Sequence, residues 1–318
     1  MALFDSIEEF KKHNSSITMS LSLSAVQSFI DDAVNKHISR SIGQELLNEL
    51  LEAKATGIDS KSNMRPLLDL TQKACAHLAI ARYVPFGSVL LSDSGAHVHS
   101  GNNQLPASDQ KLAALRKQAL DDGYIALEDL VAFLEKHLNE FKSYAESEAH
   151  KVNRSLFINS SVDFNASTSA KINAQLFASI RTEIGRIEQD SIEPILGADL
   201  ISLLRSKIAS NNSFSTIETK LVKHIQRALA PMTLASLIPY GMINISTNGL
   251  WDCSLGEGKP DIGRSQHAML MLNTRGEGEL ETLRSFLNTN RASFSSYKAK
   301  ETTGIAKINS ATSAVYLM

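Results

Sequence analysis

The chain has 318 residues, 43% of them hydrophobic and 21% charged, which is enough apolar material for one large core or two ordinary ones. Its 32 basic and 34 acidic side chains give a formal charge of −2, which excludes the basic field that drives sequence-independent DNA binding. The first residues do not resemble an export signal. No apolar run approaches the roughly 20 residues of a membrane-spanning helix, so we expect a soluble, unprocessed protein. The two cysteines, Cys75 and Cys253, fit a reducing cytoplasm.

In chain order, residues 1–20 predict an N-terminal arm that opens with a short amphipathic helix. Residues 17–21 then alternate between apolar and polar side chains as a strand does. The same alternation around Phe164 predicts an extended linker or arm over residues 151–173. Such arms either cover their own unit or add a strand to a neighbour's sheet edge, and we favour the first.

The next elements are predicted to be helices that a glycine interrupts. An apolar stripe begins near Ser24 and ends at Gly43, and its counterpart in the second half reaches Gly197, 154 positions later. Because Pro194 has no N–H to donate, we predict a helix end near Ser191, a tight turn, and a new helix near Gly197. The first copy has Arg40 in that place and is expected to bend less.

The clearest signal is a repeat of residues 67–95 at residues 221–249, without a gap. Each copy predicts an apolar central helix, roughly 65–84 and 217–237, that ends in a proline turn at Pro85 or Pro239. Polar linkers precede both helices. A short strand-like run follows each turn, with a β-hairpin predicted at Ser94-Gly95 in the first copy.

The last part of each half returns to helix, in the pattern of two amphipathic helices. With the shift shortened by one residue, Leu127-Glu128 aligns with Leu280-Glu281. We therefore predict a mainly α-helical fold, a tandem duplication of a roughly five-helix unit with a short hairpin or extended loop after each central helix. The predicted parts are an N-terminal arm at 1–20, a first unit at 21–150, an extended linker at 151–173, a second unit at 174–298, and a C-terminal tail at 299–318.

Few residues have the spacing of a metal or catalytic site. His97 and His99 would share one side of a strand, but zinc needs three or four ligands and no further motif supplies them, so a polar hairpin is the better interpretation. Cys75 and His77 lie two apart on a helix and point to different faces, which favours a buried thiol beside a surface histidine over a nucleophile and its base.

The carboxylates Asp121-Asp122 and Glu128-Asp129 are best explained as solvated helix faces rather than as an acid–base pair. The segment 256–259 superficially resembles a phosphate loop but lacks its second glycine block, and Gly276-Glu277-Gly278 is predicted to be a turn. The lone Trp251, in a glycine-rich loop, either anchors an interface or fills its own core. We expect neither an enzyme nor a bound metal or cofactor.

These elements together resemble the helical head-to-tail connector proteins of tailed bacteriophages and prophages, in a duplicated form similar to an uncharacterised family from Bacteroidetes-type phages. The resemblance covers about residues 20–300. The segments that carry it are Ile195-Leu196-Gly197-Ala198-Asp199-Leu200, Pro85-Phe86, Pro239-Tyr240, Ser92-Asp93-Ser94-Gly95 and Pro106-Ala107-Ser108.

The resemblance implies a structural virion protein, made in the host bacterial cytoplasm, that forms an adaptor ring in the neck between the portal and the tail. Rings of twelve copies are usual in that family, and double-stranded DNA passes through without specific binding. Because each chain has two units, the ring could contain either twelve chains or six. The residues expected to contact neighbouring proteins are Phe86, Ser92, Asp93, Gly95, His97, His99, Tyr240, Gly249, Trp251 and Tyr316.

Two alternatives stay open. The first is another neck or tail-completion ring protein of the virion. The second is a cytoplasmic protein, either a helical interaction module or an enzyme of unrecognised type. A ring is also favoured on physical grounds, because heterologous interfaces that close by rotation produce rings.

Overall fold

The structure is a computed structural model of the chain. It describes residues 2–14, 21–59, 62–87, 89–92, 95–98, 108–169, 171–210, 212–239, 243–246, 249–252 and 262–297.

Helices dominate the first half, in agreement with the predicted class. They are α1 (Ile7–Lys11), α2 (Leu23–Ala33), a π-helical turn (Val34–Ile38), α3 (Ser39–Ile42), α4 (Gln44–Thr56), α5 (Met64–Gly87), α6 (Asp109–Lys136), α7 (Lys142–Ala145) and α8 (Glu148–Asn153). Strands β1 (Val89–Ser92) and β2 (Gly95–Val98) pair antiparallel between α5 and α6, with Val89 opposite Val98 and Ser92 opposite Gly95.

The second half repeats this order. Its elements are α9 (Ser161–Ser167), α10 (Ala174–Ile187), a π-helical turn (Glu188–Ile192), α11 (Glu193–Leu196), α12 (Ala198–Ala209), α13 (Thr216–Leu237), β3 (Ile243–Ser246), β4 (Gly249–Asp252), α14 (Ile262–Thr289) and a 3₁₀ turn (Arg291–Ser293). Strands β3 and β4 pair antiparallel. Among the described helices, none is long and apolar enough to cross a membrane.

Each half has its own hydrophobic core, built around its central helix, α5 or α13. Positions that correspond at the shift of 154 are buried alike. The pairs Leu67 and Leu221, Ala74 and Ala228, and Ala81 and Ala235 are all at most 1% exposed. The duplication is therefore confirmed in three dimensions.

The bend before α4 and α12 has the same construction in both halves. A π-helical turn leads into a four-residue helix, which ends at Gly43 (φ 86°) or Gly197 (φ 78°). Glycine suits both positions because other residues are strained at positive φ. The predicted helix end near Ser191 is wrong: Pro194 lies in the first turn of α11, where its missing N–H costs little. The first copy makes the same bend without a proline, so the glycine ends the helical path.

The two predicted amphipathic helices at the end of each unit are a single helix of 28 residues, α6 or α14. Gly123, between the apolar clusters, is buried in α6, where an added Cβ would lie 2.8 Å from Leu78. Its counterpart Gly276 does the same in α14, 2.3 Å from Met232, so the predicted turn at 276–278 is also wrong. In both units, glycine lets the long helix approach the central helix closely instead of breaking it.

The predicted proline turns differ between the copies. Pro239 follows α13, as predicted, whereas Pro85 lies inside the last turn of α5, which continues to Gly87. A proline this close to the end removes a hydrogen bond only from the final turn.

The front of each unit is folded rather than an extended arm. Residues 161–167 form α9, and Phe164 is fully buried, as is Phe10 in α1. Two further contacts repeat at the shift of 154: the Gln72 side chain donates to the Leu3 carbonyl, and the Gln226 side chain donates to the Phe157 carbonyl, both over 2.8 Å. The expected extended linker at 151–173 is thus wrong, because short capped helices bury aromatic side chains there. Of the predicted strand at 17–21, only residue 21 is described.

Candidate functional site: the joint between the two units

Side chains of α6 bind the second unit directly. One carboxylate oxygen of Glu128 accepts the backbone N–H of Ser161 over 2.8 Å, and the other accepts its hydroxyl over 2.6 Å. About two turns earlier on α6, the carboxylate of Asp121 accepts a hydrogen bond from the side-chain amide of Asn173 over 2.7 Å. Asn173 also caps α10, since its side chain accepts the N–H of Leu176. The predicted solvated face is therefore wrong for Glu128 and Asp121. Both carboxylates instead hold the two units together.

Glu128 is half-buried at this joint. Burial raises the pKa of Glu128, although the hydrogen bonds from Ser161 favour its charged form. Its neighbour Asp129 is exposed, as predicted. The two adjacent carboxylates thus have different roles, one in the joint and one in solvent.

The segment that crosses between the units is fixed by two arginines. Arg181 of α10 donates to the carbonyl of Val152 over 2.6 Å and to that of Asn159 over 3.2 Å. Arg154 donates from Nε to the carbonyl of Ile208 over 3.1 Å. Each guanidinium binds a main-chain carbonyl of the other unit or of the crossing segment, so the relative position of the units is set by several independent contacts.

A second polar cluster lies where α6 meets α7 and α8. The Tyr144 hydroxyl donates to Glu135 over 2.8 Å, and the other Glu135 oxygen lies 3.3 Å from Arg154 Nε and 3.5 Å from His150 Nε2. Burial and the nearby Glu135 carboxylate raise the pKa of Tyr144, so the hydroxyl keeps its proton and acts as a donor. The cluster is an ion pair with hydrogen-bonded neighbours.

Glu128, Glu135, Arg154 and Arg181 line a cleft of about 600 Å³ between the units. Its apolar wall includes Tyr124, Leu127 and Phe177, and its polar wall includes Glu128 and Glu135. Both carboxylates already bind protein groups, as described above. The arrangement is that of a polar joint between two units, in which Glu128 is hydrogen-bonded across the joint and Glu135 lies beside Arg154.

None of the predicted interface residues that the structure describes is among those that line this cleft. Phe86 is 57% exposed at the end of α5, with its ring 5.8 Å from that of Phe29. The others are placed by their strands alone or fall outside the described residues: Ser92 is in β1, Gly95 and His97 are in β2, Gly249 and Trp251 are in β4, and Asp93, His99, Tyr240 and Tyr316 are not described.

The predicted buried thiol is confirmed. Cys75 is fully buried in α5, and burial raises the pKa of its thiol. His77 is half-buried rather than on the surface, and burial lowers the pKa of His77. Over the described ranges, no group of three or more His, Cys, Asp or Glu residues could hold a metal ion. Cys253 and the segment 256–259 lie outside those ranges.

The fold and the joint define a tandem-repeat α-helical protein, in which two like units each have a core and share a polar interface. The chain belongs to the Family of unknown function (DUF6712), whose model matches twice, over residues 38–154 and 192–306. The two matches begin 154 positions apart, at the shift that relates the helices. No curated protein and no solved structure matches the chain.

Replacing Glu128 by alanine tests the joint. The change leaves the N–H and hydroxyl of Ser161 without their acceptor, so we expect the free energy of unfolding to fall by about 1–3 kcal/mol. The measurement is urea unfolding followed by circular dichroism. Asp129→Ala, one residue on and exposed, is the control and should change stability by less than about 0.5 kcal/mol. Equal stability of the two variants would mean that the Glu128 contacts contribute nothing.

Proposed function

We propose that the chain is a structural virion protein, a head-to-tail connector that forms an adaptor ring between the portal and the tail. The observation that supports this most is the repeated order of elements: bent front helices, a central helix, a short two-stranded ladder, and one long final helix. The central helix and the segment that follows it agree with the resemblance to connectors stated above, whereas the single final helix replaces the two helices on which that resemblance was stated. On this proposal each half is a connector-like unit.

The construction of the chain is compatible with a ring subunit of fixed shape. Both units have their own cores, and the joint between them is made by charged hydrogen bonds and arginine–carbonyl contacts. Charge-assisted hydrogen bonds are stronger than neutral ones, so they hold two bodies in a defined orientation. Such a joint suits a ring subunit that has to keep its shape.

The charge of the chain supports passage of DNA rather than binding to it. A formal charge of −2 gives no net attraction for phosphate, whereas each lysine or arginine that neutralises a phosphate slows its release. The proposed partners are further copies of the chain, in a ring of twelve or six, together with the portal and the tail or neck proteins. The segments 86–103 and 240–260 are proposed to reach those neighbours.

Immunogold labelling of virions tests this assignment. We expect antibodies against the chain to place gold at the head–tail junction, next to the label of an antibody against the portal. Label on the tail side of the junction, further from the portal, would favour another neck or tail-completion protein. Virions that carry no label, although the chain is present in the infected cell, would favour a cytoplasmic interaction module.

A further inference from the structure

The face of α6 that forms the joint corresponds to a face of α14 that is exposed to solvent. Asp121 and Glu128 of α6 are partly buried at the joint, whereas the residues 153 positions on, Thr274 and Glu281, are exposed. The side chain of Glu281 is 71% exposed. The same helix therefore presents the same carboxylate in both units, but only the first unit has it covered.

The open face of α14 is a continuous stripe. Leu270, Thr274, Glu277 and Glu281 follow one another at intervals of four, three and four residues, so they lie on one side of the helix. Leu270 is 62% exposed, a large apolar side chain in solvent. The stripe thus joins an exposed apolar side chain to the carboxylate that corresponds to Glu128.

The opposite side of the joint is also left open at the front of the first unit. In the second unit, Ser161 of α9 is 7% exposed and hydrogen-bonded to Glu128 of α6, and Phe177 of α10 is 3% exposed. Their counterparts at the shift of 154, Ile7 in α1 and Leu23 in α2, pack against the first core but are only partly buried. The front of the first unit is therefore less covered than that of the second, and one face of α14 is exposed.

We infer that α14 of one copy binds α1 and α2 of a second copy, as α6 binds α9 and α10 within the chain. Glu281 would take the place of Glu128, and the backbone N–H of Ile7 that of Ser161. The partner is a second copy because the joint already pairs this kind of final helix with this kind of front. This inference rests on the proposed ring and names its interface.

The proposed contacts differ from those of the internal joint in two respects. Ile7 has no hydroxyl to match Ser161, which removes one hydrogen bond, but Leu270 stands where α6 has the charged Lys117 and adds apolar area. In the single chain Glu281 pairs with Arg284 on its own helix, and such exposed pairs contribute little. Release of Glu281 to a neighbour therefore costs little. The contact is heterologous, so repetition closes a ring or extends a filament.

Site-directed cross-linking of the full chain tests the interface. In a Cys253→Ser background, with Cys75 buried, Glu281→Cys is combined with Ile7→Cys and treated with a short bis-maleimide. We expect a shift from monomer to a ladder of covalent multimers on denaturing gels. Because Ile7 packs against its own core, Glu8→Cys, exposed and one residue on, serves as a second variant.

Two matched pairs calibrate the result. Glu128→Cys with Ser161→Cys should close within one chain without multimers, which shows that the reagent spans the joint. Thr282→Cys with Ile7→Cys should give little ladder, because the counterpart of Thr282 is the exposed Asp129. Failure of both Glu281 pairs to exceed this control would overturn the inference. If rings are nevertheless seen by electron microscopy, the interface is wrong and the ring stands; if the chain stays monomeric with the portal present, the proposed function fails as well.

Discussion

Replacing Phe164 by alanine is expected to lower the free energy of unfolding by about 3–5 kcal/mol, the usual cost of removing a buried aromatic side chain. Phe164 lies on the seven-residue helix α9, is 0% exposed, and has its ring 6.4 Å from that of Phe177. The helix is too short to be stable alone, so the buried ring holds it in place. Urea unfolding of the purified variant measures the effect.

Val162→Ala is the matched control, because Val162 lies on the same helix and is 70% exposed. It should change stability by less than about 0.5 kcal/mol. The corresponding pair in the first unit is Phe10→Ala, with Glu8→Ala as control, and should behave in the same way. Wild-type stability of Phe164→Ala would mean that the front of the second unit is not held in place by this ring.

The second large effect is a dependence of stability on pH. Glu188, in the second π-helical turn, is 0% exposed, accepts the N–H of Phe157 over 2.7 Å, and lies 3.5 Å from Arg205. Burial raises the pKa of Glu188 to about 7, from an ordinary value of 4.5. Between these values the folded chain binds more protons than the unfolded chain, so stability falls as pH rises through this window. The expected loss between about pH 5 and about pH 8 is about 2 kcal/mol.

Glu188→Gln keeps an acceptor for Phe157 but does not titrate, so most of this dependence should disappear. Asp190→Asn, an exposed change in the same turn, should keep the dependence of the wild type. The measurement is the urea midpoint of each protein across the pH range. A wild-type curve parallel to that of Glu188→Gln would show that Glu188 is not the responsible group.

The repeat was the part of the fold that could be predicted best. Apolar positions on α5 and α13 keep one register over 154 residues, because both helices are buried on most sides and tolerate few changes. Gly43 and Gly197 were found in the same way. Both glycines have a positive φ and end the short helix that follows the π-helical turn. This role could not be predicted, because sequence periodicity gives no backbone angles.

The front segments could not be predicted from periodicity. Helices of five to seven residues are too short to show a helical period, and the alternation around Phe164 resembles a strand. Burial of one aromatic ring outweighs that local preference. A usable signal was present: Ser6 and Ser160 are 154 positions apart, and both cap the helix that follows.

The joint was missed because its partners are distant in sequence. Glu128 and Ser161 are 33 positions apart, and a carboxylate on a helix surface usually faces solvent. The Leu-Glu pair at 127–128 recurs at 280–281, which was visible in the sequence. A polar residue that both copies keep on the same face is a candidate contact, and here it marks the joint and the open face of α14.

Single-particle electron microscopy of the purified chain, alone and mixed with the proposed portal partner, tests the connector proposal most directly. We predict closed rings with cyclic symmetry that stack on the portal. Particles that remain monodisperse monomers in both samples would contradict it.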